Sequence, residues 1–185
     1  NNYFQNANAG LHLHHADVHL HDNEFKNVTF GVESFFDCQF KAVANTFNDS
    51  QEAIYVHQFV TNPTITDNYI FGNGATNRGI TVSDHCINIS ILRNHIFNSQ
   101  YIGIRVFDNQ HANYTIEVND NELVNNSINT ASYGIIVYEN PTYKPNPFNR
   151  LQVNNNVITG FNTGIRAAYL YQPEISENSI DIIDN

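Results

Sequence analysis

Seven segments of this chain carry an Asn at the same point of one frame, apolar-x-apolar-x-x-Asn-x-apolar. The segments run from Val18 to Phe25, Phe40 to Phe47, Pro63 to Ile70, Ile89 to Ile96, Ile116 to Leu123, Leu151 to Ile158 and Pro173 to Ile180. Their Asn residues are Asn23, Asn45, Asn68, Asn94, Asn121, Asn156 and Asn178, at intervals of 22, 23, 26, 27, 35 and 22 residues. Pro63, Pro173 and Ala42 are the weak entries of the frame, and Asn2-Tyr3-Phe4 supplies an eighth copy. Repeats of this length build a coil one rung at a time, because a single copy cannot bury its own apolar face.

A second motif runs in phase with the first: Gly10, Gly31, Ala53, Gly79, Gly103, Gly134 and Gly164 each open a short apolar stretch. Each rung therefore has a strand opened by Gly, a variable loop, a strand with apolar alternation, a bend carrying Asn, and a third short strand. Alternation with period two sends one set of side chains inward and the other outward. Leu11, Val32, Ile54, Ile80, Ile104, Ile135 and Ile165 form one inward column. Phe25, Phe47, Ile70, Ile96, Leu123, Ile158 and Ile180 form another. Branched apolar stacks of this kind suit parallel sheets, and no stretch carries the pattern of a long amphipathic helix.

With these motifs in register, the chain resembles the right-handed parallel β-helix of pectate-lyase-like proteins from Asn2 to about Ile182. The resemblance implies an all-β solenoid of seven to eight rungs with an internal Asn ladder. Stacked parallel strands lie about 4.8 Å apart. The ladder amides can then form one column and donate to carbonyls of neighbouring rungs. It also implies a substrate cleft on the outer face of the Gly-opened strands. It does not fix an activity, since lyases, hydrolases, epimerases, adhesins and tailspikes share the coil.

Composition bounds the rest. The 185 residues make one parallel β-helix domain, 1–185, expected to be a segment of a longer protein because Met is absent. Neither end shows a capping helix, so flanking rungs or another chain are expected to cover the open ends. The net charge of −10 argues against nucleic-acid partners, and no apolar run is long enough for a membrane span. Cys38 and Cys86 fall seven residues after the Gly position of rungs two apart. That is too far for a disulfide.

The outward positions of the Gly-opened strands gather the chemistry. Two after Gly come His12, Glu33, Tyr55, Thr81, Arg105, Ile136 and Arg166, and four after come His14, Phe35, His57, Ser83, Phe107, Tyr138 and Ala168. Asp84, His85, Asp108, Glu139 and Tyr169 lie just beyond the strands. Uronic-acid chemistry needs a base for the proton α to the carboxylate, a cation for the resulting anion, and an acid for the leaving oxygen. Tyr55, His57, Asp84, His85 and Arg105 are the candidate catalytic set. Glu33, Phe35, Thr81, Phe107, Tyr138, Arg166 and Tyr169 are the candidate substrate contacts, the aromatics stacking on sugar rings and the arginines pairing with carboxylates. This set is similar to those of alginate lyases and mannuronan epimerases with this fold. The epimerases' Asp-Pro-His stretch has only a faint echo in Ser83-Asp84-His85, and the paired-Asp motifs of polygalacturonase-type hydrolases are missing.

No cofactor is expected from these motifs, and a divalent metal is the one alternative. His12 and His14, spaced for one side of a strand with Glu33 one rung away, are weak candidates for a divalent metal. The Pro-rich loop from Tyr138 to Arg150 would wall the groove. Two classes of function fit. One is an extracellular or cell-surface β-helix that binds or modifies an acidic polysaccharide by β-elimination or epimerisation. The other is a non-catalytic structural or adhesive β-helix, such as a surface filament or tailspike-like segment.

Overall fold

The computed structural model describes residues 1–72, 77–109, 114–126, 131–139, 150–170 and 173–182. Every strand pairing among them is parallel, in three sheets that run along one coil. The Gly-opened sheet has seven strands, from Ala9–His14 to Thr163–Ala168. The middle sheet also has seven, from Val18–His21 to Glu174–Ser176, and the sheet after the Asn bend has eight, from Tyr3–Gln5 to Ser179–Ile182. No helix among the described residues is long and apolar enough to cross a membrane.

The Asn frame sets the bend between the middle sheet and the third. The residue before each ladder Asn has positive φ: Asp22, Ala44, Asp67, Arg93, Asp120, Asn155 and Glu177 all lie between 52° and 59°. Asp and Asn tolerate this left-handed conformation best. The bend turns each Asn inward, where its Nδ2 and backbone N–H both donate to Oδ1 of the next rung's Asn at 2.9–3.1 Å, from Asn2 to Asn178. From Asn45 onward the Nδ2 groups also donate to backbone carbonyls, as Asn94 does to Ile65 and Leu92. The ladder is thus amide-to-amide as well as amide-to-carbonyl.

The apolar columns fill the interior. Phe4, Phe25 and Phe47 stack with centroids 4.8 and 4.7 Å apart, and Ile70, Ile96, Leu123 and Ile158 continue the column. This column explains the opening Gly. A Cβ on Gly79 would lie 2.6 Å from the Gly103 carbonyl oxygen and 2.9 Å from Cγ2 of Ile96. Cys38 and Cys86 are buried free thiols. Backbone bonds from Thr61 to Cys38 and from Ile87 to Val60 put Val60 on the rung between them.

Candidate functional site

The Gly-opened sheet holds its outward residues in the two predicted columns. Glu33, Tyr55, Thr81 and Arg105 are successive cross-strand partners, as are Phe35, His57, Ser83, Phe107 and Tyr138. Strict register follows from the inward apolar alternation, since a one-residue slip would turn every core side chain outward.

His57, Tyr55 and Glu33 come together. The Tyr55 and His57 rings lean towards each other and stack at 4.2 Å with 10° between planes. His57 Nε2 lies 3.3 Å from Glu33 Oε1, and His12 Nδ1 lies 2.8 Å from Glu33 Oε2, so one carboxylate bridges two imidazoles. The His57 side chain is only 12% exposed. Phe35, the cross-strand neighbour of His57, packs against it at 5.2 Å with 23° between planes.

Burial raises the pKa of the Tyr55 phenol above its usual value. The nearby carboxylates of Asp84, Glu52 and Glu33 push the same way, against a hydrogen bond with the Ser83 side chain. Tyr55 is therefore protonated at neutral pH. Ser83 also donates to Asp84 Oδ2 at 3.1 Å, which links Tyr55 to Asp84 through a buried hydroxyl. Ser83 has an outward position in the sequence but no role can be read from it there.

Other members stand apart from this cluster. Arg105 lies two rungs from Tyr55, with its Cζ 3.8 Å over the Phe107 ring, and gives Nη2–H to the Tyr138 hydroxyl at 2.6 Å. Arg166 is exposed near the Tyr133 ring, and Tyr169 is 56% exposed at a positive-φ bend. His85 stacks on Phe59 at the edge of the sheet. Thr81 corrects the expectation of a solvent-facing contact: it is buried, with Oγ1 unpartnered. The aromatic rings also differ from open sugar platforms. His57 stacks with both Phe35 and Tyr55, and Phe107 stacks with Tyr138.

The His12/His14 pair is not brought together as a chelate. His12 is engaged by Glu33, and the His14 ring packs edge-on against His15, Phe35 and Phe36. Among the described residues no three His, Cys, Asp or Glu side chains converge to hold a metal ion. The wall-forming loop lies outside the described residues over 140–149.

The right-handed β-helix family model matches residues 1–180. The chain belongs to the right-handed β-helix family. No curated protein and no solved structure matches it. Within this β-helix, a buried pair outside the predicted set adjoins the same face. Glu139 Oε1 accepts from the Tyr114 hydroxyl at 2.5 Å, while Oε2 is unpartnered. Burial, with Asp108 adding to it, pushes the Glu139 carboxyl up to about 7. Tyr114 lies 25 residues away, so only the folded register reveals the pair.

Proposed function

We propose that the outer face of the Gly-opened sheet takes an acidic polysaccharide and removes the proton α to a uronate carboxylate, at an extracellular or cell-surface location. His57 is the base. With Nε2–H given to Glu33, Nδ1 is the nitrogen that accepts the proton. The C–H electrons form the new C=C bond, the C–O bond to the leaving sugar breaks, and the leaving oxygen takes the Tyr55 proton. Arg105 holds the carboxylate whose charge grows in the transition state. One of its five N–H donors is given to Tyr138.

The observation that carries this is the Tyr55–His57 stack at 4.2 Å beside Glu33. A base and an acid side by side act on one face of a sugar ring. Epimerisation needs them on opposite faces, so the geometry favours β-elimination. A second reading, a structural or adhesive β-helix, is favoured by the way the face satisfies itself: its rings stack with one another and Arg105 is tied to Phe107 and Tyr138. Incubation with a panel of uronic polysaccharides separates the two. Unsaturated product, seen by its ultraviolet absorbance, supports elimination. A silent panel puts the structural role ahead.

A further inference from the structure

The middle sheet carries a groove, on a different face of the coil from the Gly-opened sheet. Its origin is a bulge. Gln39 pairs with Thr61 but Lys41 pairs with Thr64, so Asn62 and Pro63 together oppose Phe40. Pro63 has no N–H for the ladder and is buried, and Asn62 takes a φ of 53°. Bulges bend a strand and re-aim its side chains. Here Thr61 and Asn62 both face solvent, and a trough of about 360 Å³ opens along the coil axis.

The trough has two polar walls. One is the row His19, Lys41, Thr64, which are successive cross-strand partners. The other is Asp17, Gln39 and Thr61, with Asp17 Oδ1 accepting the Gln39 backbone N–H at 3.2 Å. Lys41 is exposed and enters none of the ion pairs among the described residues. The same row continues through Ser90, Glu117, Gln152 and Glu174. The charge of this row thus reverses along the coil: its cationic groups, His19 and Lys41, lie on the first rungs, facing Asp17 as the one carboxylate that lines the trough.

We infer that this trough is a binding site for a carboxylate-bearing sugar unit. Lys41 and His19 hold the carboxylate, and Thr64, Gln39 and Asp17 bond the ring hydroxyls. The ligand class rests on the function proposed above; the site itself does not. Three rungs span roughly 10 Å between outer strands, enough for a short stretch of chain laid parallel to the axis. A polysaccharide held here and on the Gly-opened face would gain from the high effective concentration of the second contact.

The test is titration of the intact protein with an oligogalacturonate of defined length, following the His19 and His57 imidazole C–H signals by NMR. Both signals should move and saturate. Lys41→Gln should weaken the His19 response by about tenfold, for one lost charge-assisted contact, and leave His57 unchanged. A neutral oligosaccharide of equal length should move His19 far less. Movement of His57 alone, or of His19 at unchanged affinity in Lys41→Gln, overturns the trough and leaves the Gly-opened face standing. Movement of His19 alone supports the trough and counts against the other face. If neither moves, both fail. Lys41 is exposed, so the variant is expected to fold.

Discussion

Truncating Asn94 to Ala measures what one ladder amide contributes. Asn94 is fully buried at mid-coil. Its Oδ1 accepts the backbone N–H of Asn68 at 3.1 Å and Nδ2 of Asn68 at 3.0 Å. Its own Nδ2 donates to the carbonyls of Ile65 and Leu92 and to Oδ1 of Asn121. Several partners survive the truncation. Asn68 Nδ2 keeps the carbonyls of Ala42 and Thr66, and Asn121 Oδ1 keeps the Asn94 backbone N–H. The Asn68 backbone N–H loses its acceptor inside a dry bend, which costs about 1–3 kcal/mol. The void left by the amide adds about 1 kcal/mol. The expected loss is about 2–4 kcal/mol, or roughly 5–15 °C in Tm for a chain of this size. Thermal melts beside Asn48→Ala supply the control, since Asn48 donates only a long, exposed bond to Glu24. Equal, small losses in the two variants would refute the ladder as the element that joins the rungs.

Glu139 makes stability fall with rising pH. Its folded pKa of about 7 lies above the ordinary 4.5, so the folded state keeps this proton longer than the unfolded chain does. The contribution is fully present below about 4.5 and is lost as pH rises through about 7. At its largest it is about 3 kcal/mol. Glu139→Gln should flatten this slope and melt higher than the parent at pH 8; identical melts at pH 5 and pH 8 for both proteins would reject the assignment. Burial also pushes the Cys86 thiol up to about 12. Thiol reagent should therefore find it unreactive in the folded protein and find two free groups in the unfolded, unreduced chain; finding none would mean that Val60 does not separate Cys38 from Cys86.

The rung pattern was legible because it is written locally. Period-two alternation and the Asn frame place Ile54, Ile80 and Ile104 in one inward column and Tyr55, Thr81 and Arg105 in one outward column, and both registers hold. What a side chain does once outside is not local. Strand rise alone separates Tyr55 from His57 by about 7 Å, yet their rings lean to 4.2 Å. Thr81 has an outward position but is buried. Pro63 stands in the sequence only as a weak entry in the Asn frame; set with Asn62 opposite Phe40, it forms the bulge beside the trough. The Tyr114–Glu139 bond joins residues whose spacing follows no repeat. Each of these depends on cross-rung neighbours that the repeat does not specify.

The most direct test of proton abstraction by His57 with proton donation by Tyr55 is the rate of unsaturated-product formation from a uronic polysaccharide by the parent, His57→Gln and Tyr55→Phe. General acid–base groups typically contribute about 100-fold or more. The prediction is a measurable parent rate, a loss of at least that size in both variants, and His57→Gln folded as judged by its melt. A parent that releases no unsaturated product from any substrate, or a His57→Gln protein that keeps the parent's rate, would contradict it.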